Sequence, residues 1–446
     1  MKATLSETGM SPDELHVLNA LFDEGEGPDS QQDTSRVEIP EQVIDRIVGQ
    51  DRAVEMVRLA ARQRRFLLIV GEPGTGKSLL GRATADLLEL DRPEHRLQDL
   101  VAFENSTNPS QPEIRAMATG EGAAAVLKAR QRTRRSRASE SFLFYTAAFA
   151  SAFLGVFFFL REDRDFWYLI VGGLGALFFA YMRRRAAKRG DRRTPRILVG
   201  HADAGRAPFV DATGTRDGAL LGDVRHDPYQ SGGSETSPHH LLEAGAIHRA
   251  HRGVLYIDEI ATISMESQQS LLTALQRRAM PILGRSPGSS GTMVQSNAAP
   301  CDCLLVVAGN VEDVQHIHPA LRSRIRGYGY EIYTKSVMPV NRENARALVR
   351  FVAQEVRSDG RIPHFSKAAV ACVLAEARRR SGREHHYTLR LRELGGLVRV
   401  AGDLAVLEDR EARRTESHHV KRALSHALSL EEQMARELRT PGTEES

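Results

Sequence analysis

The feature that most constrains the fold of this chain is the glycine-rich segment Gly71-Glu-Pro-Gly-Thr-Gly-Lys-Ser78, which matches the pattern G-x-x-x-x-G-K-[ST]. A run of large aliphatic side chains, 66–70, precedes it, and a helix-compatible stretch, 79–88, follows it. Backbone N–H groups in such a loop converge on phosphate groups at the amino terminus of the helix. The segment therefore predicts a buried parallel strand, a phosphate-binding loop and a helix in direct succession.

This loop predicts a site for ATP and Mg²⁺. Lys77 is expected to neutralise the β- and γ-phosphate oxygens, and the Ser78 hydroxyl is expected to ligate Mg²⁺. The loop and the first helical residue together supply the predicted phosphate contacts: Gly71, Glu72, Pro73, Gly74, Thr75, Gly76, Lys77, Ser78 and Leu79.

Two later strands end in polar residues that suit the same site. The apolar run 254–257 is followed directly by Asp258 and Glu259. We predict that Asp258 holds Mg²⁺ and that Glu259 is the general base that takes a proton from water. The apolar run 304–308 leads to Asn310, which is placed to orient that water. Because parallel strands end at one edge of a sheet, these side chains are expected to meet the phosphate loop.

Two arginines follow in the segment 319–324. Either arginine could reach the γ-phosphate of a nucleotide bound to a neighbouring subunit, as an arginine finger does. We predict Arg324 for this role, with Arg322 as the second choice. The alternative is a solvated basic patch.

Two stretches without charge, 142–160 and 166–182, interrupt the α/β pattern. At 1.5 Å per residue they extend roughly 28 and 25 Å as helices, close to the ~30 Å thickness of the bilayer hydrocarbon. Basic residues precede the first stretch and follow the second, which places both ends in the cytoplasm: Lys128, Arg130, Arg132, Arg134, Arg135, Arg137, Arg183, Arg184, Arg185, Lys188 and Arg189. We therefore predict a transmembrane hairpin in the cell membrane, in contact with lipid headgroups.

Composition excludes several other classes. A net charge of +4 over 446 residues, with the basic residues in two blocks, gives no reason to expect a nucleic-acid partner. Three cysteines cannot form a disulfide framework and are interpreted as buried thiols. The paired histidines do not follow the spacing of helical metal sites and are interpreted as solvated or core residues.

The predicted fold class is α/β, a parallel sheet with helices on both faces, followed by a helical domain. Residues 1–38 are polar and predicted to be flexible. Residues 39–340 form the α/β domain, interrupted by the basic-flanked hairpin 127–193. The helical domain covers 341–432, where apolar residues recur at helical spacing, and 433–446 form a tail.

The order of these motifs resembles that of AAA+ ATPases, and in particular the membrane-bound archaeal-type Lon protease, LonB. The hairpin between the phosphate loop and the acidic strand is the most specific point of resemblance. The other similar segments are Ile47-Val-Gly-Gln50, Ala212-Thr-Gly214, Gly218-Ala-Leu-Leu-Gly-Asp-Val224, His226-Asp-Pro-Tyr-Gln-Ser-Gly-Gly233, Ala246-Ile-His-Arg-Ala-His251 and Ala320-Leu-Arg-Ser-Arg-Ile-Arg-Gly-Tyr-Gly-Tyr330.

The resemblance implies a homohexameric ring that acts on protein substrates. It also implies that Ile47 and Val48 border the adenine. A nucleotide-sensing arginine is expected on the helical lid, with Arg392 as the first choice and Arg390 as the second. Tyr229 resembles the aromatic pore-loop residue that grips unfolded polypeptide, although it could equally be a packed loop aromatic.

A Lon protease continues beyond the lid into a serine–lysine peptidase domain, whereas this sequence ends at Ser446. We expect the chain to be the ATPase and unfoldase part, which serves a separate Ser-Lys peptidase or acts without one. The alternative is a membrane-tethered remodelling chaperone of the MoxR or chelatase kind that has no protease partner.

Overall fold

The computed structural model describes residues 10–22, 33–90, 92–161, 166–192, 194–201, 205–225, 236–285, 293–426 and Met434. Three predicted features lie outside these residues: the pore-loop residue Tyr229, most of the turn between the two apolar stretches, and nearly all of the tail.

The described elements alternate between strands and helices up to the helical domain. The helices are α1 (Pro12–Phe22), α2 (Asp51–Gln63), α3 (Lys77–Asp86), α4 (Glu121–Arg161), α5 (Trp167–Arg192), α6 (Asp217–Leu221), α7 (Pro238–Leu241), α8 (Ala246–Arg249), α9 (Met265–Arg277), α10 (Pro319–Tyr328), α11 (Arg342–Asp359), α12 (Lys367–Ser381), α13 (Leu391–Glu408) and α14 (Ser417–His426). The strands are β1 (Phe66–Val70), β2 (Gln98–Phe103), β3 (Glu113–Ala118), β4 (Arg196–Val199), β5 (Phe209–Asp211), β6 (Asp223–Val224), β7 (Leu242–Glu243), β8 (Val254–Ile257), β9 (Ala279–Arg285), β10 (Met293–Pro300), β11 (Leu304–Gly309), β12 (Gly329–Tyr333), β13 (Val337–Pro339), β14 (His364–Phe365), β15 (His386–Thr388) and β16 (Arg414–Thr415).

The main sheet is parallel, in the strand order β12-β1-β11-β8-β5, which confirms the predicted α/β class. Successive residues of β1 point into different cores, because side chains alternate along a strand. Leu68 packs with α8, α9 and α10, whereas Leu67 and Ile69 pack with α2 and α3. Helices therefore cover both faces, which explains why β1 is apolar throughout.

The strand β4, which follows the second long helix, lies outside the main sheet. It pairs antiparallel with β2, which also pairs with β3, in a separate three-stranded sheet. The long helices α4 and α5 leave this sheet after β3 and return to it at β4. Because β3 and β4 pair with opposite edges of β2, the two ends of the helical insertion are held one strand apart.

The helices α4 and α5 pack as an antiparallel pair. Gly155 and Gly172 meet so closely that a Cβ on either would lie 2.9 Å from the other's Cα. Ser151 donates a hydrogen bond to the carbonyl of Gly172 at 3.2 Å. The Arg183 guanidinium lies over the Tyr145 ring at 4.7 Å and donates to its hydroxyl at 2.6 Å. Small residues at the crossing allow the close backbone approach that is typical of helices in lipid.

Among the described residues, one helical segment is long and apolar enough to cross a membrane, Ser141–Arg161. The second predicted span, 166–182, does not reach that length. Its helix starts at Trp167 and meets basic residues from Arg183 onwards, short of the ~20 apolar residues that a span requires.

The helical domain contains α11 to α14 around one apolar core. The prediction of a flexible segment over 1–38 is wrong for residues 12–22, which form α1. This helix inserts Val17, Leu18 and Phe22 into the core of the helical domain, where each is at most 1% exposed. These residues lie on one face of a short amphipathic helix, and burial of that face offsets the polar composition of the surrounding segment.

A buried carboxylate also fixes α1. Glu14 is fully buried and accepts a hydrogen bond from the Tyr387 hydroxyl at 2.6 Å. The Arg378 guanidinium lies 3.3 Å from the same carboxylate, so the buried charge is paired. Burial, followed by the hydrogen bond to Glu14, raises the pKa of Tyr387 above its ordinary value.

Three histidines are buried in the α/β domain and are held in neutral form. His239 and His248 each lie 3.0 Å from a backbone carbonyl, and His251 lies 3.0 Å from the side-chain oxygen of Gln98. Burial lowers the pKa of each histidine from 6.5 to about 4. They belong to the core, as the sequence interpretation allowed.

These histidines predict a loss of stability in mild acid. Their pKa values are lower in the folded chain than in the unfolded chain, so between pH 6.5 and about 4 the unfolded chain binds more protons. Stability is complete above pH 6.5 and falls as the pH falls towards 4. At pH 5 we expect a loss of about 2 kcal/mol per histidine. Denaturant unfolding at pH 7.5 and pH 5 measures this loss, and equal midpoints would contradict it.

Candidate nucleotide-binding site

A cleft of about 520 Å³ opens at the carboxyl ends of β1, β11 and β8, under the helical domain. Its size is typical of small-ligand sites. The residues that line it come from the glycine-rich loop, three strand ends and one lid helix: Pro73, Gly74, Gly76, Lys77, Ser78, Leu79, Arg82, Phe209, Asp211, Tyr256, Asp258, Glu259, Asn310 and Arg392. The structure therefore brings together the predicted lysine, serine, carboxylates and asparagine, which are far apart in sequence.

The glycine-rich loop has the backbone conformation that a phosphate loop needs. Gly74 and Gly76 have φ values of 80° and 90°, which glycine adopts without strain. Gly71 lies against the next strand, where an added Cβ would be 1.8 Å from the hydroxyl oxygen of Thr334. Thr75 donates to the carbonyl of Glu72 at 2.8 Å, which closes the turn. The first N–H groups of α3 consequently face the cleft.

Lys77 connects the loop to the neighbouring strand. Its ammonium group donates to the carbonyl of Gly71 at 2.6 Å and to the Oδ1 atom of Asn310 at 2.9 Å. Only 8% of the residue is exposed. Burial lowers the pKa of Lys77, and the nearby carboxylates of Asp258 and Asp313 oppose that shift. A buried ammonium group held in a fixed position is suited to bind an anionic group.

The Ser78 hydroxyl and the Asp258 carboxylate face each other at 3.5 Å. Tyr256 lies on β8, two residues before Asp258, and its hydroxyl donates to the Asp258 carboxylate at 3.2 Å and lies 3.2 Å from the Ser78 hydroxyl. Burial raises the pKa of Tyr256, so the hydroxyl remains a donor. The ring of Tyr256 packs against Gly81 of α3, where a Cβ would be 2.5 Å away. The sequence prediction missed Tyr256, although strand alternation places it on the same face as Asp258.

Glu259 has a strained backbone. Its φ of 50° lies in the left-handed region, which non-glycine residues seldom adopt outside functional sites and turns. The preceding Asp258 is fixed, since its N–H donates to the Thr213 hydroxyl at 2.9 Å. Thr213 belongs to a segment noted only for its resemblance, and the structure shows that it supports the acidic turn. The Glu259 carboxylate is exposed within the cleft.

Asn310 is fixed from the opposite side. Its backbone N–H donates to the Asp313 carboxylate at 2.7 Å, while its side chain accepts from Lys77. Two further acidic or basic groups of the cleft, Asp211 on the edge strand β5 and Arg82 on α3, were also missed. Neither stands in a recognisable motif, so only the fold places them at the site.

The helical domain closes one side of the cleft. The Leu391 N–H donates to the carbonyl of Gly74 at 3.0 Å, and the Arg392 Cβ packs against the space where a Gly74 side chain would lie. Arg392 lines the cleft, whereas Arg390 forms an ion pair with Glu72 at 2.6 Å on the outer side of the loop. The two candidate sensor arginines thus have different surroundings.

Ile47 and Val48 are not among the described residues that line the cleft. Val48 packs into the core of the helical domain, and Ile47 packs against the core around α2 and α3. They occupy the junction of the two domains. Gln50 fixes this junction by exchanging two hydrogen bonds with the backbone of Lys335, at 2.8 and 2.9 Å.

The two candidate arginine fingers lie away from this cleft, on α10. Arg322 is exposed on the helix surface. Arg324 is partly buried, stacks over the Tyr328 ring at 4.3 Å and lines a second cavity. Among the described residues, neither arginine lines the nucleotide cleft.

The donor set of the cleft fits a nucleotide with a hard divalent cation. Ser78 Oγ and the Asp258 carboxylate are oxygen ligands of the kind that Mg²⁺ prefers. Lys77, Arg392 and the loop N–H groups supply positive charge for phosphates. Glu259 and Asn310 face the same space from the adjacent strand ends, where a water could be activated.

Two family models match parts of the chain. The Sigma-54 interaction domain matches residues 231–302, and magnesium chelatase subunit ChlI matches residues 43–112. Among solved structures, NtrX from Brucella abortus in complex with ADP aligns with a TM-score of 0.40 and 14% identity, covering 90% of this chain and 60% of that one.

Several curated relatives are much more similar. The Archaeal Lon proteases of Archaeoglobus fulgidus and Thermococcus kodakarensis are 49% and 45% identical over 90% of this chain, which spans 63% and 62% of their lengths. A Putative lon protease homolog of Methanothermobacter thermautotrophicus is 34% identical, with 90% of both chains covered.

The parallel sheet, the phosphate loop, the acidic strand and the lid define an AAA+ ATPase, an enzyme that hydrolyses ATP. The curated relatives identify its family. This chain belongs to the archaeal Lon protease family and corresponds to the AAA+ region of its members.

Proposed function

We propose that this chain is a membrane-anchored Lon-type ATPase that couples ATP hydrolysis to the unfolding and translocation of proteins destined for proteolysis. The observation that carries the proposal is the convergence of Lys77, Ser78, Asp258, Glu259 and Asn310 in one cleft beneath the lid. The relatives named Archaeal Lon protease supply the link to proteolysis, and this chain spans about three fifths of their length.

Each residue of the cleft has a distinct task in hydrolysis. Lys77 binds phosphate oxygens with its ammonium group, in place of the carbonyl and amide acceptors that surround it. Glu259 takes a proton from the attacking water, and Asn310 orients that water. When bound, Mg²⁺ would neutralise phosphate charge, held by Ser78 and Asp258.

The helical lid senses the bound nucleotide through its arginines. We propose that Arg392 contacts the phosphates, because it lines the cleft, whereas Arg390 fixes the loop through Glu72. Arg324 acts on the nucleotide of the next copy, with Arg322 as the alternative, in a homohexameric ring. Arg392→Ala should therefore weaken ATP turnover more than Arg390→Ala, and equal effects would contradict this assignment.

Protein substrates would be moved through the ring by the loop that contains Tyr229. We further propose that a serine–lysine peptidase receives the translocated polypeptide. The test is ATP-dependent unfolding of a stably folded fluorescent protein that carries a disordered tail, followed as loss of fluorescence. Unfolding that requires ATP and is lost in Glu259→Gln supports the proposal. ATP turnover without unfolding of any tailed substrate contradicts it.

The exposed apolar surface of α4 and α5 supports membrane anchoring. Phe142, Phe149 and Leu160 are 70%, 74% and 73% exposed, and most of the large apolar side chains between them are also exposed. Soluble proteins seldom expose so continuous an apolar surface. We propose that the pair forms a cell-membrane hairpin with the ATPase domain in the cytoplasm, in which α5 crosses with the help of its flanking arginines.

This anchoring predicts the behaviour of a charged substitution. Gly155→Arg places a charge at the crossing of the two helices, where it meets the backbone of Gly172. We expect the chain to move from the membrane fraction to the soluble or aggregated fraction, since a charge at mid-span costs ~3 kcal/mol or more. Gly173→Arg is the matched control for crowding. It introduces the same charge at a position with no neighbour within 4 Å, so any effect on membrane association comes from the charge alone. Unchanged membrane association of both variants after alkaline extraction would contradict the hairpin.

A second function is favoured by one observation. The magnesium chelatase subunit model matches residues 43–112, which is compatible with a remodelling chaperone of the MoxR or chelatase kind. Copurification from native membranes separates the two functions. A stoichiometric peptidase partner supports the Lon-type role, and its absence favours the chaperone.

A further inference from the structure

A second cavity, of about 510 Å³, lies at the amino ends of the strands of the main sheet, opposite the end that carries the nucleotide cleft. Phe66 and Leu304, which start β1 and β11, line it, so it opens at the amino ends of these strands. Seven arginines surround it: Arg62, Arg64, Arg65, Arg92, Arg252, Arg278 and Arg324. Among the described residues that line it, Asp302 is the only acidic one. Such a concentration of guanidinium groups attracts an anion with several charges.

Three of these arginines have a backbone conformation that favours glycine. Arg64, Arg252 and Arg278 have φ values of 48°, 65° and 54°, and they are three of the five described non-glycine residues with positive φ. Arg64 and Arg278 are the carboxyl-terminal caps of α2 and α9, positions at which glycine is usual. Backbone strain of this kind is frequent at functional sites. A fourth such residue is Glu259, in the nucleotide cleft.

The guanidinium groups of the cavity also have unused donors. Within the described part of the chain, buried nitrogens of Arg64, Arg252 and Arg324 have no hydrogen-bond acceptor. Asp302 pairs with Arg252 at 2.8 Å and lies 3.7 Å from Arg278, so a single carboxylate faces several cations. Burial lowers the pKa of the Arg64 guanidinium. The cavity therefore has an excess of positive charge, which a bound anion would balance.

The nucleotide of the same subunit cannot be that anion. The five residues of β1 separate the two sites by roughly 16 Å of extended strand. In a ring of identical copies, however, one edge of each subunit faces a different edge of the next. Arg324, the candidate arginine finger, already lines this cavity.

We propose that the cavity receives the phosphate groups of a nucleotide bound in the cleft of a second copy, and that Arg64, Arg252 and Arg278 contact them together with Arg324. Asp302 holds Arg252 and Arg278 towards the mouth of the cavity. The proposal rests on the proposed ring of ATPase subunits, and it assigns to each active site a group of arginines from the neighbouring copy rather than a single finger.

The first test uses the backbone strain. Replacement of Arg64 or Arg278 by glycine removes the strain and the guanidinium together, so we expect a Tm equal to or about 2 °C above that of the unsubstituted protein. The ATP hydrolysis rate should fall about 10-fold or more, with unchanged affinity of the cleft for a fluorescent nucleotide. His385→Gly is the matched control, because His385 has a φ of 55° but is exposed and lies in neither cavity. It should retain full hydrolysis.

The second test asks whether the arginines act on another copy. A Lys77→Ala subunit keeps the arginine cavity, and an Arg64→Gly/Arg278→Gly subunit keeps the phosphate loop. When equal amounts are mixed and reassembled, about a quarter of the interfaces pair an intact loop with an intact cavity. The mixture should regain a corresponding share of the hydrolysis rate, although each variant alone is nearly inactive.

The outcomes separate this inference from the proposed function. An unsubstituted chain that hydrolyses no ATP removes the proposed function. If the unsubstituted chain is active and the glycine variants keep its rate, only the present inference fails. If the variants lose activity but the mixture does not regain it, the arginines do not act across copies. Loss of inorganic phosphate binding without regained activity would assign the cavity to a free anion and overturn the proposal.

Discussion

Glu259→Gln should reduce the rate of ATP hydrolysis by about 10²- to 10³-fold, the usual contribution of a general base. The amide retains the size and the hydrogen-bonding reach of the carboxylate but cannot accept a proton from water. Affinity for ATP should remain close to that of the unsubstituted chain, because Lys77, Ser78 and Asp258 are unchanged. Single-turnover hydrolysis and equilibrium nucleotide binding, measured on the same preparation, separate the two effects.

Glu266→Gln is the matched control for this substitution. Glu266 is an exposed carboxylate at the start of α9 and does not line the cleft. The control should hydrolyse ATP at the unsubstituted rate. A Glu259→Gln variant that hydrolyses ATP within about twofold of that rate would exclude Glu259 as the base.

Lys77→Ala should strongly weaken ATP binding and abolish hydrolysis. The substitution removes the buried ammonium group that faces the cleft, and it leaves the carbonyl of Gly71 and the side chain of Asn310 without their donor. A charge-assisted hydrogen bond to phosphate contributes about 1.5–3 kcal/mol. We therefore expect ATP affinity to fall by 10- to 100-fold or more and hydrolysis to fall to background.

Lys77→Arg distinguishes loss of charge from loss of fit. The planar guanidinium keeps the charge but does not occupy the narrow space between the loop carbonyls. It should therefore fail to restore hydrolysis. Thermal unfolding of both variants checks that the α/β domain remains folded. Full activity in Lys77→Ala would be incompatible with the proposed site.

Much of the nucleotide site was predictable, because its residues stand in motifs with fixed places on a parallel sheet. The loop 71–78, the acidic pair after β8 and Asn310 after β11 all follow from the rule that such strands end at one edge. Tyr256 could have been found from strand alternation. Asp211 and Arg82 could not, because their approach to the cleft depends on the position of an edge strand and of a helix face.

The fold outside the main sheet was harder to predict. The antiparallel pair β9 and β10 was not expected. Its two strands are neighbours in sequence, but the pair is held against the distant strand β3, where Asn297 exchanges hydrogen bonds with the backbone of Ile114 at 2.6 and 2.9 Å. Helix α1 was hidden in a polar segment, because its stability comes from burial against the helical domain rather than from local pattern. Both features depend on contacts between residues far apart in sequence, which the periodicity of apolar residues does not reveal.

The most direct test of the shared nucleotide site is a titration of Mn²⁺, in place of Mg²⁺, with the free ion followed by electron paramagnetic resonance. We expect the unsubstituted chain to bind one Mn²⁺ when ATP is present. Asp258→Ala and Lys77→Ala, changed at residues far apart in sequence, should each weaken that binding by ~10-fold or more. ATP-dependent Mn²⁺ binding that is unaffected by both substitutions would show that these residues do not share one site.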